Sequence, residues 1–289
     1  MPQRLIFSLL LLFSLPLQAE PLFWSATKGS TQLLIFGSLH VGRDDIYPLP
    51  KQVAQALTQS AGLVVETDIR KNSSVTPTFS AITSEQVLTN EQLFILDRIA
   101  QQLSLDAQQI RQMPPWSTSL LIQMRQFLEL GYQADRGIDL YFMHQAEQQH
   151  IPVLSLETLQ FQLDLLAGLP NSGEELLVGL IKDWEINAKL TGCMIQSWKN
   201  GDQDKLLEVA KLSEMSPELE HKMLIARNQD WAEKLSQTSF LLEQDKPYLV
   251  VVGTLHLVGE QSLLAQLKKK GFSIKQLNQS TEANCSFFE

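Results

Sequence analysis

The stretch LLIFGSLH, residues 33–40, runs from four apolar residues through a glycine to a histidine. The same pattern recurs in YLVVVGTLH, residues 248–256, more than 200 residues further along the chain. A short, continuously apolar run that is rich in β-branched residues is typical of a strand buried on both faces of a sheet. The two stretches therefore predict two buried strands, each ending close to a histidine, His40 and His256.

Four other stretches also have strand patterns. AGLVVETD at 61–68 and IPVLSLE at 151–157 are short apolar runs of the buried kind. LFWSATKGSTQLLIFG at 22–37 predicts a hairpin around a Lys-Gly-Ser turn, and FSIKQL at 272–277 predicts an edge strand.

Between these strands the chain has helical periodicity. It extends over about 85–148, with a break at MPPW, 113–116, and again from Thr158 to about Leu242. Strands that alternate with helices favour an α/β fold. We expect a central mixed, mainly buried β-sheet flanked by helices, with a large helical insertion before the last strands.

The N-terminal residues MPQRLIFSLLLLFSLPLQAE, 1–20, resemble a secretory signal peptide. Arg4 precedes an apolar run that is short for a transmembrane helix, and Ala19 precedes Glu20. We expect cleavage after Ala19, export to the periplasm and one domain over residues 20–289; the alternative is an uncleaved membrane anchor. Because export leads to an oxidising compartment, we expect Cys193 and Cys285 to form a disulfide rather than remain free thiols.

The charge of the chain argues against some partners. The formal net charge is −9, and the only basic run is LKKKG at 267–271, which suits the last turn of a helix before a glycine. We therefore expect no nucleic-acid binding and no stable membrane anchor after cleavage. The sequence does not predict an oligomeric state.

Three predicted strands end in side chains that can bind a metal or move a proton: His40, Glu66 and His256. Ligands of α/β sheets collect at the carboxyl ends of the strands, so these residues are predicted to share one cleft. Two histidines and a carboxylate suit Zn²⁺, Mn²⁺ or Co²⁺. Gly37 and Gly253 would let the backbone approach a substrate closely. The alternative is that each histidine is hydrogen-bonded into a turn.

Further candidates lie at helix starts. Glu157 ends a fourth strand and Asp139 begins a helix, so both could contact substrate, or could simply favour a helix N-terminus. Arg136 could reach an anionic group. Exposed positions are expected for His144, His150 and His221.

ARNQDWAEKL, 226–235, places Arg227 and Asn228 in a helix before Trp231. The simplest interpretation puts Trp231 in the core and the polar pair in solvent. The alternative is that the Arg-Asn pair polarises a carbonyl or holds a carboxylate.

Seven of these motifs together resemble the TraB/GumN proteins, which are related to the animal Tiki metalloproteases. They occur in family order and span nearly the whole mature chain: LLIFGSLHVGRDDIYPLP, LVVETD, PPW, RGIDLYFMHQA, IPVLSLET, ARNQDWAEKL and VVVGTLHLVGE. The resemblance implies an α/β fold similar to erythromycin-esterase and ChaN-like proteins. It also implies an active site of His40, Glu66 and His256 with Arg227 and Asn228, whereas Arg136 before GID is less characteristic of the family.

From these features we expect an exported metal-dependent hydrolase of peptide bonds, in which His40, Glu66 and His256 hold or activate a metal-bound water. Its expected partner is a peptide or small-molecule substrate. Glu66 could instead act as the general base. Arg227 or Asn228 would stabilise the developing oxyanion. The alternatives are a protein that binds a peptide or small ligand without cleaving it, and a metal or haem carrier.

Overall fold

A computed structural model describes residues 19–71, 75, 81–212, 215–241, 243 and 245–287. The predicted signal peptide therefore lies outside the described residues, apart from Ala19, and so does most of the polar loop after Lys71. Among the described residues, no helix has both the length and the apolar character needed to cross a membrane.

The predicted mixed sheet is confirmed. It contains six strands in the order β4-β3-β5-β2-β1-β6. The strands are β1 Phe23–Lys28, β2 Thr31–Ser38, β3 Gly62–Val65, β4 Val153–Ser155, β5 Tyr248–Gly253 and β6 Ser273–Gln276.

Four neighbouring strands are parallel, because β4, β3, β5 and β2 are joined by helical connections. The predicted hairpin joins β1 to β2 in antiparallel register, and its turn contains Gly29 with a positive φ of 57°. The predicted edge strand, β6, pairs with β1 at the outside of the sheet. Gly37 of β2 lies opposite Val252 and Ser38 opposite Gly253, so β2 and β5 end side by side.

Helices fill both long connections, as the helical periodicity predicts. Their bounds are α1 Lys51–Gln59, α2 Ser84–Val87, α3 Asn90–Gln102, α4 Ala107–Gln112, α5 Pro115–Glu129, α6 Ile138–Gln148, α7 Leu159–Ala167, α8 Glu174–Lys182, α9 Trp184–Asn200, α10 Gln203–Leu212, α11 Pro217–Glu220, α12 Ala226–Leu235 and α13 Leu263–Lys269. Short 3₁₀ turns cover Asp44–Ile46, Ala134–Arg136, Pro170–Ser172 and Thr254–Leu257. A π turn, His221–Ile225, joins α11 to α12.

The helical break at MPPW is confirmed at Pro114 and Pro115. Helix α4 ends at Gln112, and α5 begins at Pro115, where a missing N–H group costs no helical hydrogen bond. Lys268 and Lys269 lie in the last turn of α13, and Gly271 follows with a φ of 91°, as expected for a helix stop.

In the part of the chain that the structure describes, two hydrophobic cores stabilise the fold. The main core packs helices against the sheet and includes Phe36, Val250 and Trp198. A second core lies between helices of the two long connections, around Leu96 of α3, Ile122 of α5 and Leu177 of α8. The helices of the two connections therefore share an apolar interior beside that of the sheet.

The predicted disulfide between Cys193 and Cys285 is confirmed. The two Cα atoms lie 5.5 Å apart, and 92 residues separate them along the chain. The bond attaches the segment after β6 to α9.

Candidate functional site

The candidate site lies at the carboxyl ends of the four parallel strands. His40 lies two residues after β2, Glu66 follows β3 directly, and Glu157 lies two residues after β4. His256 belongs to the 3₁₀ turn that follows β5. Because these strands are neighbours, their ends meet at one edge of the sheet, where ligands of open α/β sheets bind.

Three of the predicted site residues converge beside Gly253. A Cβ atom placed on Gly253 would lie 3.2 Å from Glu66 Oε1, 3.6 Å from His256 Cδ2 and 3.8 Å from His40 Nε2. Glu66, His256 and His40 therefore surround the same small space. A side chain at position 253 would fill part of it.

His40 is held by Asp139. Its Nδ1 lies 3.0 Å from Asp139 Oδ2, and Ser38 Oγ donates to Asp139 Oδ1 at 2.8 Å. The negative charge of Asp139 raises the pKa of His40 to about 9, although the side chain is 65% exposed and water weakens the attraction. With Nδ1 directed at Asp139, Nε2 is the ring nitrogen that faces the space beside Gly253.

His256 is buried and held by Asn228. Its Nδ1 lies 2.7 Å from Asn228 Oδ1, while Asn228 Nδ2 donates to the carbonyl oxygen of Gln261 at 2.9 Å. That second bond orients the amide so that Nδ1 of His256 is the donor and Nε2 the acceptor. Burial lowers the pKa of His256 to about 4, so the ring is neutral at neutral pH. It also packs against Trp231, with 4.3 Å between ring centroids and the ring planes tilted by 42°.

Glu66 is a buried carboxylate with a partner on each oxygen. Oε1 accepts the Gly253 N–H at 2.7 Å, and Oε2 accepts from Arg227 Nη2 at 2.7 Å. Burial alone would raise the pKa of Glu66, but the neighbouring His256, His40 and Arg227 lower it to about 2. The side chain is therefore ionised at neutral pH.

Arg227 is the centre of the network. It forms a bidentate pair with Glu157 through Nε and Nη2, both at 2.9 Å, and Nη2 also contacts Glu66. Nη1 donates to the Met223 carbonyl at 3.1 Å and lies 3.3 Å from His256 Nε2. Each of its five N–H groups thus has an acceptor.

The interpretation that places Arg227 and Asn228 in solvent is wrong. Arg227 is 9% exposed and Asn228 2%, because both face buried polar partners instead of water. The alternative, in which the pair holds a carboxylate, matches the bidentate contact of Arg227 with Glu157. The prediction that Trp231 is a core residue is confirmed.

Glu157 is a buried partner of the site and does not face open solvent. It accepts hydrogen bonds from Trp231 Nε1 at 2.8 Å and from Gln162 Nε2 at 3.2 Å. Its backbone N–H donates to the Glu66 carbonyl at 2.7 Å, which fixes the two strand ends side by side. Glu66 and Glu157 are thus two buried carboxylates that share one buried guanidinium, which leaves an excess of negative charge.

A π turn places Arg227 and Asn228. It covers His221–Ile225 within a helix that otherwise runs from α11 into α12. Such widened turns are frequent at functional sites. The sequence shows no signal for it, because the apolar periodicity does not reveal an extra residue in one turn.

The other predicted residues lie around this network. Arg136 forms an ion pair with Asp44. Gly37 lies against the turn after β5, since a Cβ there would be 2.7 Å from Thr254 Oγ1. The predicted exposure of His144, His150 and His221 is confirmed. Ser38, which donates to Asp139, was missed by sequence reasoning although it belongs to the GSLH motif.

The side chains of His40, Glu66 and His256 suit a divalent cation by chemical type, but their present spacing does not. In the part of the chain that the structure describes, no three His, Cys, Asp or Glu side chains form a group that could hold a metal. In favour of a cation are two imidazoles with anchored Nδ1 atoms, an ionised carboxylate and an excess of buried negative charge. Metal-bound histidines commonly have this kind of anchor on the other ring nitrogen.

Comparisons with known proteins place the chain in a family. Residues 22–276 match the model of the TraB/PrgY/gumN family. The chain is 30% identical over 241 residues to YbaP of Escherichia coli strain K12, an alignment that covers 83% of this chain and 89% of YbaP, and YbaP of Shigella flexneri matches to the same extent. Both relatives are described as uncharacterised proteins. No solved structure matches significantly. The chain belongs to the TraB/PrgY/gumN family.

Proposed function

We propose that this protein is a metal-dependent hydrolase of peptide bonds that acts in the space beside Gly253. The observation that carries the proposal is the matched anchoring of two histidines around one carboxylate. His40 is oriented by Asp139 and His256 by Asn228, which leaves Nε2 as the second ring nitrogen of each. Nε2 of His40 faces the space beside Gly253, and Nε2 of His256 accepts from Arg227 Nη1 at 3.3 Å. Glu66 lies between them beside Gly253.

His40, His256 and Glu66 would hold the cation, once Nε2 of His256 has exchanged its contact with Arg227 Nη1 for the cation. A divalent cation there would supply a Lewis acid for water and for the carbonyl oxygen of a substrate. Glu66 is ionised and His256 neutral at neutral pH, which are the protonation states in which these side chains bind cations. His40 must lose the proton that Asp139 stabilises, so binding of the cation releases a proton.

Arg227 and Asn228 position other groups in this proposal. Because every N–H of Arg227 already has an acceptor, a contact with an oxyanion would break a contact with Glu66, Glu157, Met223 or His256. Its role is to orient Glu66, and that of Asn228 is to fix the tautomer of His256.

We also propose that the protein is exported to the periplasm after cleavage at Ala19. The disulfide between Cys193 and Cys285 supports an oxidising compartment.

Metal analysis of the purified mature chain tests the function. Wild type is expected to bind one divalent cation and to cleave members of a random peptide library, and a chelator should abolish the cleavage. His40→Ala and His256→Ala should each lose both the cation and the activity. Saturable binding of a peptide that is recovered intact, with no bound metal, would show a binding protein instead.

A pair of glycine substitutions tests where the reaction occurs. Gly253→Ala adds a methyl group 3.2 Å from Glu66 Oε1, and is expected to lower kcat/KM about 100-fold. Gly179→Ala is the control, since a Cβ there meets no atom within 4 Å. Equal activities of the two variants would place the reaction elsewhere.

A further inference from the structure

Two elements with apolar residues that are not buried lie beside the candidate site. Helix α7 has the sequence LQFQLDLLA, yet none of its residues is buried in the described structure. Phe161 is 46% exposed, and the leucines of α7 are half-buried. The π turn has the same character, because Met223, Leu224 and Ile225 are also only half-buried.

These side chains lie outside both hydrophobic cores. Among the described residues, neither the main core nor the second core includes an apolar residue of α7 or of the π turn, and none packs against either core. Exposed apolar surface that contributes to no core indicates a binding surface when it forms a contiguous patch.

Hydrogen bonds connect both elements to the site. Helix α7 begins two residues after Glu157, and Gln162 donates to Glu157 Oε2 at 3.2 Å. The carbonyl of Met223, in the π turn, accepts from Arg227 Nη1 at 3.1 Å. Glu157 and Arg227 form the ion pair that holds Glu66, so both apolar elements border the same network.

We infer that α7 and the π turn bind the apolar side chains of the substrate, and that the substrate is a peptide with large apolar residues beside the cleaved bond. The inference rests on the proposed function. A helix of nine residues is about 14 Å long, which matches about four residues of an extended peptide.

The composition of α7 favours a peptide over a hydrocarbon chain. Gln160, Gln162 and Asp164 alternate with its apolar residues in the sequence. Gln160 and Asp164 share one side of the helix, where Gln160 Nε2 donates to Asp164 Oδ1 at 2.8 Å, and Gln162 lies on the opposite side. A peptide carries a polar amide at every residue, so it suits a surface of mixed character. A lipid chain requires continuous apolar contact.

Two matched variants and two matched peptides test the inference. The probes are fluorescein-labelled decapeptides of equal charge, with Leu and Phe or with Ser and Gln at the four central positions. Their binding to the full mature chain is measured by fluorescence anisotropy, separately from cleavage. The variants are Phe161→Ser and, as control, Phe94→Ser on α3, where Phe94 is 64% exposed. Because both positions are exposed, neither substitution should change the melting temperature.

We expect the apolar peptide to bind wild type at least about 10-fold more tightly than the polar one, from the apolar area it would bury. Phe161→Ser should remove most of this preference and Phe94→Ser none. Equal binding of the two peptides, equal effects of the two variants, or displacement by a long-chain fatty acid ester would overturn the inference. Tight, Phe161-dependent binding without cleavage would support the apolar binding surface and reject both the proposed hydrolase and the claim that the bound peptide is its substrate. Cleavage that does not depend on Phe161 would support the hydrolase and reject the surface.

Discussion

Arg227 contacts both carboxylates that follow β3 and β4 and lies against the histidine that follows β5. One side chain from a helix thus fixes the relative positions of groups from three strand ends. A planar guanidinium can do this because its N–H groups point in fixed, divergent directions, whereas a lysine has a single point charge.

Substitution of Arg227 should therefore affect stability strongly. Arg227→Gln leaves Glu66 and Glu157 buried without a cation, and is expected to lower the free energy of unfolding by about 3–5 kcal/mol. Urea denaturation followed by circular dichroism measures this loss.

The matched control is Arg98→Gln. Arg98 pairs with Glu185 at 3.8 Å, but both side chains are exposed, so the loss should stay below about 0.5 kcal/mol. Similar losses in the two variants would contradict the account of Arg227 as the centre of a buried network.

At the scale of elements, the helical and strand patterns were largely predictable, and the exceptions are informative. Buried strands are visible as short apolar runs, and Pro114 and Pro115 mark a helix boundary whatever the tertiary structure. The π turn was not predictable, because it changes the helical phase by a single residue. The burial of Arg227 was not predictable either, since a polar helical residue faces solvent unless a buried carboxylate lies opposite.

The disulfide joins a helix to the segment after the last strand and should stabilise the fold. Cys193 lies in α9, and Cys285 lies in the segment that follows β6. Because 92 residues separate them, the chain-entropy model gives a stabilisation of about 4.6 kcal/mol. The double variant Cys193→Ser/Cys285→Ser should lose roughly this amount in urea denaturation.

Reduction supplies the control for this measurement. Dithiothreitol should destabilise wild type to the level of the double variant and leave the double variant unchanged. A reductant effect of equal size on both proteins would show that the disulfide is not its cause.

At the scale of the whole molecule, the site makes folding sensitive to acid. Burial holds the pKa of His256 near 4 in the folded chain, against 6.5 for an ordinary histidine. Between these pH values the unfolded chain binds a proton at this position that the folded chain does not. The free energy of unfolding should therefore fall as the pH decreases from about 6.5 to about 4.

The other site residues change the free energy of unfolding in different pH ranges. His40 is protonated in both states below pH 6.5, so its contribution is lost only as the pH rises toward about 9. The low pKa of Glu66 stabilises the folded chain above pH 4.5, and this stabilisation is lost as the pH falls from 4.5 toward about 2. Urea denaturation of chelator-treated protein should thus show a smaller pH slope between 6.5 and 4.5 in His256→Gln than in wild type. An unchanged slope would mean that His256 is not the group responsible.

The sequence by itself determined the α/β class, the hairpin, the order of strands and helices along the chain, and the cysteine pair. Each depends on local pattern or on a small number of possibilities: apolar runs, glycine and proline positions, and two cysteines that allow one pairing. It also indicated that His40, Glu66 and His256 end strands, because a polar residue directly after an apolar run is visible in any reading of the chain.

Only the tertiary structure decided that these three side chains surround Gly253, that Asp139 and Asn228 anchor the histidines, and that Arg227 is buried against Glu157. These contacts join residues from about 30 to 190 positions apart, and they depend on the strand order β4-β3-β5-β2. The order of strands in a sheet results from how all the connecting helices pack, which no local stretch of sequence encodes.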